Sequence, residues 1–285
     1  MPLTPAYPLP DVSSRLTSLG FRGINPTGTP AIVPPLVSVP AGPFLMGSDK
    51  SRDSQAQDNE TPQHRVELDA FQIGKYPVTV AEYALAVRAG AVRKPPKPFI
   101  YGVSWQSQLQ CLDHPVVCVS WKDATAYVAW LSTVTGEPGW RLPNEAEWEK
   151  AARWDTKRGV GQIYPWGDSF DKARCNTSES GVKTTTSVGS YPESDPLRSG
   201  ASPCGAEDMA GNVWEWTNSV DKPYPYSEND GRYVQQYVDK AFLLNTILRG
   251  GSWGYKPWTA RAAHRMHNQP DYACFDFGFR IVHVP

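Results

Sequence analysis

Asp208-Met209-Ala210-Gly211-Asn212-Val213-Trp214-Glu215-Trp216 is the stretch of this 285-residue chain whose reading decides the fold. Side chains alternate along a strand, so Trp214 and Trp216 take one face and Glu215 the other. The indoles need an apolar layer. The carboxylate on the far face needs either a cation, for which Arg249 and Arg265 are candidates, or a metal ion. Asn212 is either a turn residue or a second oxygen donor.

Working outward, short strands are expected at 187–191, 213–217, 246–249 and 277–283. Residues 36–46 (LVSVPAGPFLM) read as a strand, a Pro-Gly interruption and a second strand start. Residues 63–73 (QHRVELDAFQI) alternate as one half-buried strand with a slip near Phe71, and the polar run 48–62 reads as an exposed loop. Three helices are marked by a capping residue with an acid three positions on: Thr79 with Glu82, Ser120 with Asp123, and Asn144 with Glu147. Residues 12–19 carry one short helix inside a Pro-rich N-terminal extension, 1–36, and no domain boundary is expected within 37–285. The chain holds 27 Pro and 11 Trp, so it is expected to be loop-rich, with large aromatic plugs where regular elements are scarce.

Composition also excludes. A formal charge of −1 argues against a nucleic-acid partner or a membrane surface, both of which call for a concentrated positive field. No apolar run approaches the roughly 18 residues of a membrane span and no leader pattern opens the chain, so a cytoplasmic, non-inserted protein is expected. Five Cys without a C-x-x-C pair give neither a disulfide framework nor a Cys-rich zinc site.

Eight phrases in order resemble the formylglycine-generating-enzyme/sulfatase-modifying family. They are Pro40 to Gly47 (PAGPFLMG), Pro77-Val78-Thr79, His114 to Trp121 (HPVVCVSW), Arg141 to Glu149 (RLPNEAEWE), Tyr164-Pro165-Trp166-Gly167, the Asp208 phrase, Arg249-Gly250-Gly251-Ser252-Trp253, and Gly278-Phe279-Arg280. The resemblance implies an α+β domain of irregular C-type lectin fold, a few helices around small twisted antiparallel sheets.

Family oxidases hold copper with two thiolates a few residues after the Gly-Gly-Ser-aromatic turn. Here that stretch is Gly254-Tyr255-Lys256-Pro257-Trp258-Thr259-Ala260-Arg261, without Cys. The family's iron-dependent sulfoxide synthases take their histidines largely from an added N-terminal helical domain, for which 1–35 is too short. The resemblance therefore implies no catalytic residue, no required cofactor and no enzyme; the alternative is a copper oxidase of the formylglycine-generating type or an inactive relative acting as an accessory module.

Residues 248–282 mix aromatic and polar side chains in the manner of a binding surface. They resemble the variable region of diversity-generating-retroelement proteins, in which adenine mutagenesis of Asn codons yields Tyr, His, Asp, Ser, Gly, Cys, Phe, Thr or Ala. The implied contact set is Gly254, Tyr255, Trp258, Thr259, His264, His267, Asn268, Asp271, Tyr272, Cys274, Phe275 and Asp276, aimed at a protein ligand. Family members place calcium near the Asp208 phrase, so Asn176, Asn212 and Glu215 are candidate ligands of a structural Ca2+.

Overall fold

The computed structural model describes residues 13–25, 28–98, 102–233 and 244–284. Five α-helices and fourteen short strands fall within them. Helix α1 (Ser13–Ser18) leads into the hairpin β1 (Arg22–Ile24) and β2 (Ala31–Val33). Leu16, Phe21, Ala31 and Val33 of this region join the main hydrophobic core.

A four-stranded sheet follows, ordered β3 (Leu36–Val39), β6 (Phe71–Gly74), β14 (Val282–His283) and β7 (Trp140–Arg141). A separate ladder pairs β4 (Gly42–Met46) with β5 (His64–Leu68). The expected single strand over 63–73 is thus two strands in two sheets, broken at Asp69-Ala70. A small hairpin joins β8 (Trp154–Asp155) and β9 (Val160–Gly161).

The sheet that matters for function is ordered β12 (Met266–Asn268), β11 (Thr246–Arg249), β10 (Trp214–Val220) and β13 (Phe277–Phe279). All seven residues of β10 are buried. Trp216 meets Phe277 edge-on at 5.5 Å, and its Nε1 donates to the Val119 carbonyl at 2.9 Å. Glu215, on the other face, takes Trp148 Nε1 at 2.6 Å and Arg280.

Helices α2 (Val80–Arg88), α4 (Trp121–Thr135) and α5 (Glu145–Arg153) start at Thr79, Ser120 and Asn144, each with a complete capping box. Each box satisfies backbone donors that would otherwise be orphaned at the helix start. A fourth short helix, α3 (Trp105–Gln108), is capped by Ser104. Helix α5 is buried on every side. Its three glutamates survive that burial because each meets arginine: Glu145 meets Arg232 and Arg265, Glu147 meets Arg141, and Glu149 meets Arg153 and Arg249.

Two expectations need correction. Residues 187–191 form turns rather than a strand. Residues 48–62 are not wholly exposed: Ser48, Asp53 and Glu60 are buried, Arg261, 201 residues after Glu60, reaching in to Asp53 and Glu60 while Ser48 bonds Glu60. Among the described residues no helix is long and apolar enough to cross a membrane.

Candidate functional site

The C-terminal segment is braced by the phrase that opened the sequence reading. Gly211 N–H donates to the Gly250 carbonyl at 2.7 Å, and Trp253 N–H to the Asn212 carbonyl at 3.1 Å. A Cβ on Gly211 would lie 2.3 Å from the Asn176 carbonyl, and its φ of +77° is left-handed, so only glycine fits there. Gly251, with φ +73° and the backbone of Thr259 and Ala260 at 3.0 Å, has the same restriction.

On this frame lies a run of rings. Tyr255 meets Trp214 edge-on at 5.6 Å, Trp214 meets His264 at 5.8 Å, and His264 meets Trp258 edge-on at 5.1 Å. Beside it Tyr272 packs on Phe277 at 5.8 Å, and Trp253 on Phe275 at 5.3 Å. Tyr255 and Tyr272 are the outer members, 40% and 50% exposed, while Trp214 and Trp253 are buried. The inner rings hold the outer ones in place at little further entropic cost.

Of the twelve candidate contact residues, Gly254, Tyr255, His267, Asp271 and Tyr272 are exposed, and Trp258, Asn268, Cys274 and Phe275 are half-buried. Thr259, His264 and Asp276 are buried rather than exposed. Thr259 Oγ1 donates to the Lys256 carbonyl, and Asp276 accepts Ser252 Oγ at 2.6 Å. His264 and His267 have different partners: His267 Nδ1 lies 2.7 Å from Asp221, and His264 Nδ1 lies 3.1 Å from Glu60 Oε1. Asp271 is tied to Lys122 at 2.7 Å.

Glu60 was not singled out by the sequence, and only the fold could reveal it. Burial pushes its carboxyl up, but the hydrogen bonds from His264 and Arg261 prevail and hold it at about 2. Arg261 grips both Glu60 oxygens at 2.7 Å and Asp53 at 2.7 Å. Burial lowers the His264 imidazole below its ordinary range, with Glu60 opposing.

The calcium candidates are already engaged. Both oxygens of Glu215 accept from Arg280, the cation being Arg280 rather than Arg249 or Arg265. Asn212 exchanges hydrogen bonds with the Thr186 backbone, while Asn176 bonds to Thr184 and Ser180. Among the described residues no group of three or more His, Cys, Asp or Glu is placed to hold a metal ion.

The copper arrangement of the resembled oxidases does not fit here. Where the paired thiolates would stand, the chain has the exposed Tyr255 and the 3-10 turn Pro257–Ala260. Two cysteines are joined through their backbones here: Cys118, whose N–H donates to the Cys274 carbonyl at 3.0 Å, and Cys274. Burial and neighbouring negative charge push them up to about 12 and about 11, so both are protonated.

Comparison with known proteins adds the missing context. Residues 24–284 match the family described as sulfatase-modifying factor enzyme 1-like domain. The chain is 34% identical to hercynine oxygenase of Mycolicibacterium thermoresistibile over 88% of its length, and spans 59% of that relative. It is 30% identical to inactive C-alpha-formylglycine-generating enzyme 2 of Bos taurus, covering 87% of each. Treponema denticola variable protein 1 shares the fold, with a TM-score of 0.66 and 19% identity, over 93% of this chain and 99% of that one. These matches overturn the expectation of no enzyme: the chain is similar in sequence to an oxygenase, and the missing thiolate pair rules against one kind of chemistry only.

Proposed function

Because the chain belongs to the sulfatase-modifying factor enzyme 1-like family, we propose that it is the ligand-holding domain of an oxidative enzyme, acting on a small quaternary-ammonium compound of the hercynine kind. The observation that carries this reading is the ring run from Trp258 through His264 and Trp214 out to the exposed Tyr255. A trimethylammonium group keeps its charge while shedding water against aromatic faces, at about 0.5–2 kcal/mol per contact. The 34% identity to hercynine oxygenase supports that ligand class. So does the rigid base, because Trp214 and Trp253 are already buried before anything binds.

Among the described residues no group of three or more His, Cys, Asp or Glu is placed to hold a metal ion, and the reading assigns none. Titration calorimetry of the chain with hercynine, using histidine as the ligand lacking the three methyl groups, tests the reading. Saturable binding of hercynine in preference to histidine supports it, and equal or absent binding contradicts it.

A second reading concerns how the same surface is used. Gly254, Tyr255, His267, Asp271 and Tyr272 are exposed and all belong to the set reachable by adenine mutagenesis of an Asn codon. That favours a surface diversified by a retroelement toward a protein ligand. A neighbouring reverse-transcriptase gene and a near-copy of the 3′ coding sequence, differing only at adenines, would support it; absence of both would contradict it.

A further inference from the structure

The geometry points to His264 as the proton acceptor of this surface: Glu60 fixes the imidazole so that Nε2 is offered to an N–H, O–H or S–H group of a ligand seated against Tyr255 and Trp258. The inference rests on the ligand-holding reading above and adds a chemical role inside it.

The carboxylate comes first. Glu60 is fully buried, fixed on both oxygens by Arg261, and receives Ser48 Oγ at 3.0 Å. It is therefore a stationary anion, and the imidazole nitrogen 3.1 Å from it, Nδ1, must carry the hydrogen. In the neutral ring the lone pair is then on Nε2. That atom has no hydrogen-bond partner among the described residues, and it is not one of the buried polar atoms sealed off without a partner.

The ring cannot turn away. Trp214 and Trp258 flank it. His264 N–H donates to the Arg261 carbonyl, and its own carbonyl accepts Arg249 Nη1 at 3.1 Å. A carboxylate that sets the tautomer and a free nitrogen on the far side is the arrangement of a general base.

The charges facing the ring fix its resting state. Glu60 favours the imidazolium, while burial and the guanidinium groups of Arg261 and Arg249 oppose it, and Asp53 stands behind Arg261. The ring is neutral at rest. On transfer the ligand X–H bond breaks, its electron pair stays on X, and the proton forms the Nε2–H bond of an imidazolium paired with Glu60.

The test uses the full chain, with hercynine as probe, and three readings. The first is the nitrogen-15 spectrum of the ligand-free protein at pH 7, expected to show His264 protonated on Nδ1 alone. An Nε2–H tautomer or an imidazolium there overturns the proposal. The second is His264→Gln, which retains a donor toward Glu60. It is expected to remain folded and to weaken hercynine binding about tenfold, and wild-type affinity overturns the proposal. The third is pH: wild-type affinity should fall more steeply through and below the ordinary imidazole range than that of His264→Gln, which keeps only the titration of hercynine's own imidazole, whereas matching profiles overturn the proposal. If wild-type protein binds no hercynine, the ligand reading fails separately, and the tautomer alone decides the role of His264.

Discussion

Arg280 meets Glu215 with two parallel bonds, Nε to Oε2 at 2.7 Å and Nη2 to Oε1 at 2.8 Å, and neither side chain is exposed. This pair sets which way the central strand faces. With Glu215 anchored to Arg280 and Trp148, Trp214 and Trp216 have the opposite face, where the ring run is built. Arg280 also binds the carbonyls of Gly74 and Glu207, so the pair joins the functional sheet to the one that contains β6.

Removing one partner leaves the other charge buried and uncompensated. Arg280→Ala is expected to cost about 3–5 kcal/mol or to prevent folding. Urea unfolding measures this, and a loss below about 1 kcal/mol would show that the pair does not organise the sheet.

Tyr255 and Tyr272 stand at the outer end of the rings and are largely exposed. Tyr255→Ala and Tyr272→Ala are expected to shift stability by no more than about 0.5–1 kcal/mol while reducing ligand affinity tenfold or more. Calorimetry of unfolding and of binding on the same samples separates the two effects. A large fall in melting temperature would mark the tyrosines as core.

Glu60 is held at about 2 in the fold, well below the ordinary carboxyl value of 4.5. Its stabilisation is present above about pH 4.5 and is lost as pH falls toward 2, on the order of 3 kcal/mol in all. Glu60→Gln should therefore be clearly less stable than wild type at pH 7, with the gap closing near pH 2–3. A gap that stays constant across that range would contradict the assignment.

Asp208 shows the opposite sign. Burial, reinforced by Glu207, lifts its carboxyl from 3.8 to about 7. Its contribution is full below about pH 3.8 and is lost as pH rises through about 7, with a slope of about 1.4 kcal/mol per pH unit between them. Asp208→Asn should gain on wild type over that interval in urea titrations at stepped pH. Parallel curves would show that the group is ionised in the fold throughout.

Much of the local structure was legible because its cause is local. The capping boxes at Thr79, Ser120 and Asn144 are three-residue devices, and β11 begins and ends where the residue pattern places it. Helix α5 shows where periodicity loses its meaning, since a helix buried on all sides has no polar face. The candidate site was half legible. Tyr255 and Tyr272 are exposed as their residue types implied, but Thr259, His264 and Asp276 look just as polar in sequence and are buried. Their partners decide this, and the Glu60 that claims His264 lies 204 residues away. The expectation of no enzyme rested on a missing thiolate pair and on the shortness of 1–35, and the sequence likeness to an oxygenase overturns it.

The most direct test of the account is magnetisation transfer from the trimethylammonium protons of bound hercynine to the protein. The account predicts transfer to the ring protons of Tyr255 and Tyr272, lost on competition with unlabelled ligand. Transfer instead to Trp140 and His283, whose rings meet tilted at 4.4 Å in the separate groove beside the β1–β2 hairpin, would contradict it, as would no transfer at all.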